Sequence, residues 1–402
     1  PPLSGSRVLD FTRLLPGPVC TLYLADLGAD GIKVEDVGEG DYARRIGLGA
    51  GSRTDAQSPD AAAPSVFYRN VNRGKRSLAI DLKTPPGREA VLRMARDADV
   101  VVESFRPGVM ASLGLGYATL AAHNPRIVHA SITGYGQHGP RAAMAGHDIN
   151  YLGYAGVLDQ TGVEGGAPAL CNLQIADLLG GAASAAIAVL AALTRATRTG
   201  HGASIDVAMA DAVLAHQHFA LQALQTHGRT LPRGDDLLSG GVPCYGVYPT
   251  RDGRYLAVGA LEAKFWRLLC ATLGRDDLVA GQLATGDEGA RVRAQLCALF
   301  AAEPIAHWTA LFDTIDCCVT PVATLDEALH DPQFVARGIV GRRADGTRFF
   351  APPWRIDGES VDLRREAPMQ GEHSREVLRE AGLAAAAIDR LGGEGIVRTS
   401  SR

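Results

Sequence analysis

Residues 7–35 read RVLDFTRLLPGPVCTLYLADLGADGIKVE. Arg7-Val8-Leu9-Asp10-Phe11 has the apolar, β-branched character of a short strand, residues 18–27 carry apolar side chains at helical spacing, and residues 31–35 return to a strand pattern. The chain therefore opens as strand, helix, strand. The pattern continues with a strand over 78–82, a helix over 87–98, strands over 100–103 and 126–132, and a strand over 204–209 leading into a long helix that ends near residue 225. Strands alternating with helices predict an α/β fold with a Rossmann-like, doubly wound parallel sheet.

Composition changes over 228–241, where Arg229, Pro232, Arg233, Gly234 and the pair Gly240-Gly241 read as a linker. Beyond it, residues 242–249 and 255–260 alternate like antiparallel strands around Asp252-Gly253, a tight reversal. Helices follow over 262–273, 288–302 and 305–312, then a short strand over 319–323. Residues 342–402 hold a strand pair around Ala344-Asp345-Gly346 and helices over 374–381 and 385–391. The stretch 39–64 lacks periodicity and reads as a long surface loop. No internal repeat is present.

A chain of 402 residues exceeds one ordinary core and divides into two or three domains. With 21% charged and 46% apolar residues it has the balance of a globular protein, and a net charge of −4 argues against nucleic acid or an anionic membrane surface as main partner. Seven cysteines without CxxC spacing, two of them adjacent at 317 and 318, fit a reduced, cytoplasmic setting better than a disulfide framework. The opening Pro1-Pro2-Leu3-Ser4-Gly5 has no secretory-signal pattern. The longest apolar run, 178–193, is short for a membrane span and reads as a buried helix whose glycines and alanines permit close packing.

Gly134-Tyr135-Gly136-Gln137-His138-Gly139 spells GxGxxG after a strand, yet Pro140 follows at once and no helix opens there. It reads as a tight loop and not as a dinucleotide site. In Tyr68-Arg69-Asn70-Val71-Asn72-Arg73-Gly74-Lys75-Arg76, four cations stand within eight residues. That is either a solvated strand edge or a phosphate site, and Arg106 after the next strand tilts the reading toward a ligand. His147 in Gly146-His147-Asp148-Ile149-Asn150-Tyr151, and Asp177 thirty residues later, set two proton-handling groups before apolar, glycine-rich segments. A lone histidine is more often a core residue, and Asp177 also fits a helix N-cap. Glu262 stands where a strand becomes a helix. His216 and His218 make a poor metal pair, and no HExxH, cysteine cluster or GxSxG occurs.

Taken together, the chain resembles the family III CoA transferases, whose superfamily includes the α-methylacyl-CoA racemases. The likeness runs through Leu14-Leu15-Pro16-Gly17-Pro18, Leu24-Ala25-Asp26-Leu27-Gly28-Ala29, Asn72-Arg73-Gly74-Lys75-Arg76-Ser77, Phe105-Arg106-Pro107-Gly108-Val109, the 146–151 motif, Ala176-Asp177, Arg198-Thr199-Gly200, Gly240-Gly241-Val242-Pro243, the segment 259–262 and Val319-Thr320-Pro321-Val322. By resemblance to the racemase branch, His147, Asp177 and Glu262 are the catalytic groups. Arg73, Gly74, Lys75, Arg76, Arg106, Gly146, Asp148, Asn150 and Tyr151 line the coenzyme A site. Other segments are transferase-like: Gly40-Asp41, Arg44-Arg45 and the tail Ala367-Pro368-Met369-Gln370-Gly371-Glu372-His373. An asparagine that racemases place four residues before the aspartate is Leu173 here, and an arginine that contacts coenzyme A after the second strand is Asp36.

The resemblance implies an interlocked homodimer acting on an acyl-CoA, with no tightly bound cofactor, no metal, and coenzyme A present as part of the substrate. It implies a large domain of residues 1–200 with 335–402, a linker strand and helix over 201–227, and a small α+β domain over 228–334. Two chemistries follow from it. As a racemase, His147 oriented by Glu262 serves one face of the α-carbon and Asp177 the other, with main-chain amides at the start of the Asp177 helix as donors to the enolate oxygen. As a transferase, Asp177 attacks the thioester and carries the acyl group.

Overall fold

The computed structural model describes residues 1–46, 64–358 and 365–399. They gather into two compact units, one of 1–155, 173–216 and 337–402 and the other of 156–172 and 217–336. Most of the long loop expected over 39–64 lies outside the described residues. Its start is shaped, with a short 3₁₀ turn over Tyr42–Arg45 capped by Asp41.

In the large unit β1 (Arg7–Phe11), β2 (Asp30–Glu35), β3 (Arg76–Ile80), β4 (Val100–Glu103), β5 (Val128–Thr133) and β6 (Ala203–Ala208) are parallel, in the order β3-β2-β1-β4-β5-β6. The sheet is the doubly wound one the opening predicted. Every residue of β4 and β5 is buried, because helices cover strands of this kind on both faces. Within residues 201–227, Ala203–Ala208 pairs with β5 along its length and the chain to residue 216 stays with this unit, while residues 217–227 belong to the other. The single long helix expected after it is two, Met209–Ala215 and His218–His227.

The apolar run begins as a π-helical turn, Ala176–Ala183, and continues as an α-helix, Ser184–Thr199. By length and composition alone it passes for a membrane span. Its glycines let it pack closely, since a Cβ on Gly180 would sit 2.7 Å from the Met209 carbonyl oxygen.

The small unit is built on an antiparallel sheet of β7 (Tyr245–Pro249), β8 (Tyr255–Gly259) and β9 (Val319–Pro321). One face of that sheet packs on helices Ala263–Thr272, Gly286–Phe300 and Ile305–Phe312 through fully buried Trp266 and Phe300. After residue 337 the chain rejoins the large unit as a hairpin of β10 (Val340–Arg342) and β11 (Arg348–Phe350). Helices Ser374–Glu380 and Ala385–Gly393 then contribute Val377, Leu378, Ile388 and Leu391 to the main core. A two-residue strand, β12 (Val397–Arg398), closes the sheet edge antiparallel to β3, an element the sequence did not announce.

Between β1, β2 and β3 lies a fully buried ionic network. Asp10, Lys33 and Lys75 have no exposure and Asp41 only 1%. Lys75 Nζ lies 2.9 Å from Asp10 Oδ2, and Lys33 Nζ lies 2.8 Å from Asp41 Oδ2 while donating to the Thr12 carbonyl at 2.6 Å. Asp10 also accepts from the Thr12 amide and from the hydroxyls of Thr12 and Thr21. Burial opposes ionisation of both aspartates, but Lys33 and Lys75 beside Asp10, and Lys33 with two main-chain amides at Asp41, hold both carboxyls below their ordinary range. Gly17 is required here, since a Cβ would come 2.2 Å from that of Thr12.

Because the folded carboxyls are depressed, their contribution to stability is present above about pH 4 and is lost as pH falls through the folded values. Lys33→Met leaves two buried carboxylates short of a cation. It should destabilise the protein by about 3–5 kcal/mol in denaturant titrations at neutral pH, and the loss should shrink in acid.

Candidate active site

The order of the parallel strands reverses between β1 and β4, and crevices at such a reversal open at the carboxyl ends of the strands. A cavity of about 390 Å³ lies there. Arg13, Leu14 and Pro16 line it after β1, Ser104 to Pro107 after β4, and Thr133 and Gly134 around the end of β5. Gly146, His147, Tyr151 and Asp177 complete the chemical part of its wall. The two proton-handling groups singled out from the sequence thus face one space.

His147 stands immediately before the helix Asp148–Tyr154 and is exposed. Its amide donates to Asn150 Oδ1 at 3.0 Å, so Asn150 fixes the backbone of the histidine. Tyr151 is buried, and its hydroxyl donates to the Gly146 carbonyl at 2.5 Å. A Cβ on Gly134 would meet its ring at 2.2 Å, which explains a glycine at the end of β5. The GxGxxG run is a loop with Gly136 and Gly139 at positive φ, and no helix begins there.

Asp177 is not the N-cap of its helix. It sits in the first turn, and Asp148 does the capping: Asp148 Oδ1 accepts from the Ala176 amide at 2.7 Å and from the Asp177 amide at 3.1 Å. The Leu178 amide is bonded to the Gln174 carbonyl. The amides expected to steady an enolate oxygen are therefore already engaged. Burial, and after it the charge of Asp148, pushes the Asp177 carboxyl up to about 7. Burial, followed by Asp177, likewise raises the Tyr151 phenol to about 12.

The basic run does not present its charges to this cavity. Arg73 makes a two-pronged ion pair with Asp26, Lys75 belongs to the buried network, and Arg76 pairs with Asp30, Glu376 and Glu380. Gly74, at φ +79°, turns the chain and bonds the Arg365 carbonyl. These residues tie the sheet to its neighbours.

Arg106 does line the cavity and is exposed. So does Arg13, which the sequence reading passed over. Its guanidinium lies 3.2 Å from Asp36 Oδ2, donates to the Tyr42 hydroxyl and stacks near the rings of Tyr42 and Phe105. Asp36, where the family pattern has an arginine, thus holds an arginine from the neighbouring strand end. Glu262 lies on the small unit, exposed, directly before the helix Ala263–Thr272 and beside Cys318.

The family profile described as CoA-transferase family III matches residues 3–374. The chain is 35% identical over 402 residues to the alpha-methylacyl-CoA racemase of Homo sapiens, covering 99% of this chain and 98% of that one. It is 36% identical over 397 residues to the succinate–glutarate CoA-transferase of Agrobacterium fabrum, covering 94% and 96%. The crystal structure of a CAIB/BAIF family protein from Brucella suis superposes with a TM-score of 0.79 at 30% identity, covering 94% of this chain and 99% of that chain.

A carboxyl raised to about 7 favours the fold below the ordinary value near 3.8, and that advantage disappears as pH rises toward 7. Asp177→Asn should therefore melt above the wild type at pH 8, with the difference vanishing near pH 4. An upper bound on the gain is about 4 kcal/mol, the free energy that separates a carboxyl titrating near 3.8 from one titrating at about 7.

Proposed function

The chain belongs to CoA-transferase family III, and on that premise we propose that it racemises 2-methylacyl-CoA thioesters by proton transfer at the α-carbon. The observation that carries this reading is that His147 and Asp177 line one cavity at the strand reversal. Inverting a carbon beside a thioester requires one group to remove the α-proton and another to return a proton on the opposite face. A group does this best when its pKa is close to the working pH, which is where burial and Asp148 put Asp177.

In one direction the His147 imidazole takes the proton, the electron pair moves into the thioester carbonyl, and protonated Asp177 delivers a proton from the other side. The opposite hand of substrate exchanges the two roles. Glu262 is the carboxylate that the resemblance assigns to support the histidine. Of the cations first considered for the coenzyme A phosphates, Arg106 fits best, with Arg13 as its neighbour on the same wall. We read the molecule as a homodimer on the resemblance alone.

CoA transfer is the second reading, favoured by the same carboxyl. Asp177 in ionised form attacks the acyl-CoA carbonyl, CoA thiolate leaves, and a mixed anhydride remains on the aspartate. Thiolate return with departure of the free acid then leaves an aspartyl-CoA thioester for the acceptor carboxylate. A carboxylate made more basic by its surroundings is a stronger nucleophile, and the Agrobacterium fabrum relative carries a transferase name.

The readings separate in deuterium oxide. A chiral 2-methylacyl-CoA should lose its α-proton to solvent with the wild type, and His147→Ala should slow that exchange about 100-fold or more. Exchange at the wild-type rate in His147→Ala sinks the racemase reading. Mass spectrometry after incubation with acyl-CoA and hydroxylamine should leave Asp177 unlabelled; a hydroxamate there, with CoA passing to an added carboxylate, establishes transfer instead.

A further inference from the structure

One face of the large sheet changes character across its width. At β1, β2 and β4 it presents Leu9, Ile32 and Val101, which stand in register and belong to the main core. The register then sets His129 beside Val101 and Ser131 beside Glu103, with Ser204 and Asp206 next in line on β6. Residues opposite one another on neighbouring strands share a face, so this face turns polar over β4, β5 and β6. A cavity of about 420 Å³ lies against Glu103, His129, Ser131 and Asp206, and Tyr117 and Gln137 also line it. That volume is within the range of small-molecule sites. Among the described residues, it shares no lining residue with the cavity at the strand reversal.

His129 is only 4% exposed, and neither of its ring nitrogens has a hydrogen-bond partner among the described residues. Burial pushes the imidazole down to about 4, so at neutral pH it is uncharged, with one N–H to donate and one bare nitrogen to accept. The side-chain amide nitrogen of Gln137 is likewise unpartnered, although its main-chain amide is held by both oxygens of Asp206. Buried polar atoms in native proteins are nearly always paired, so three unmet groups, two donors and one acceptor, against one cavity point to an occupant.

The wall selects the charge of that occupant. Glu103, itself buried, accepts from the Phe105 amide at 2.7 Å, and Asp206 adds a second carboxyl. Among the described residues that line the cavity there is no lysine or arginine. An anion would meet two carboxyls and no fixed cation, whereas hydroxyl groups both donate and accept and so answer all three unmet groups. The half-buried Tyr117 ring, its centroid 6.4 Å from that of His129, offers a surface to the C–H groups between such hydroxyls.

We propose that this cavity is a second ligand site, one that binds a small uncharged polyol of monosaccharide size, its hydroxyls bonded to His129 and Gln137 and its carbon face against Tyr117. The polyol is distinct from the acyl-CoA handled at the strand reversal.

Calorimetry and saturation-transfer NMR on the whole chain test this, with D-glucose and myo-inositol as neutral probes and D-gluconate and D-glucosamine as charged ones. At least one neutral probe should bind, and at least about tenfold tighter than gluconate. His129→Phe keeps a ring but removes both nitrogens, and should abolish that binding while melting at or above the wild type without sugar. Gln137→Leu should weaken it about tenfold, and decides the matter if His129→Phe does not fold. Saturating coenzyme A should leave sugar binding unchanged. The proposal is overturned if neither neutral probe binds, if gluconate or glucosamine binds as tightly, or if coenzyme A competes. Binding that survives His129→Phe or Gln137→Leu in a variant with a native melting profile overturns it equally.

Discussion

The buried pairing of Asp10 and Asp41 with Lys33 and Lys75 is the interaction on which the cavity at the strand reversal depends. A parallel sheet gains nothing from charges in its interior; removing four ionised groups from water is costly, and only close partners and saturated hydrogen bonds offset it. What the arrangement supplies is position. Asp41 accepts from the Leu14 amide at 3.0 Å, holding Leu14 at φ +66°, and Lys33 grips the Thr12 carbonyl. The segment leaving β1 is thereby fixed against the crevice, and with it Arg13, Leu14 and Pro16 of the cavity wall. An apolar core would pack as well but would leave this turn free to choose among conformations.

The same logic of capture explains the two carboxylates of the site. His147 and Asp148 are neighbours in sequence but act in different directions. The histidine lines the cavity, while the aspartate turns to the amides of Ala176 and Asp177. Asp148 thus does two things at once: it starts the helix that carries Asp177, and its charge makes ionising Asp177 harder. A helix N-terminus alone would have lowered that carboxyl. The sign of the shift is set by the cap and by burial, not by the helix.

Much of the fold was legible because its signals are local. The opening strand-helix-strand, the Asp252-Gly253 reversal and the helices of the small unit follow from periodicity and turn chemistry within short windows. His147 and Asp177 were legible by motif. The partners of Arg73, Lys75 and Arg76 were not legible, because a sequence shows a charge without its partner; Lys75 meets Asp10 across 65 residues and Arg76 meets Glu376 across 300. Arg13 was overlooked for the complementary reason, since only the strand order reveals that the end of β1 borders the crevice. The cap on the Asp177 helix comes from 28 residues upstream, beyond any local capping pattern.

The short strand β12 has a consequence for how the protein is made. Val397 pairs with Ile80, so the outer edge of β3 is completed by residues that leave the ribosome more than 300 positions later. Until then the nascent chain exposes an unpaired strand edge and lacks the two helices that bring Val377 and Ile388 to the core. That edge can be closed only after the small unit, contiguous over most of its length, has been synthesised.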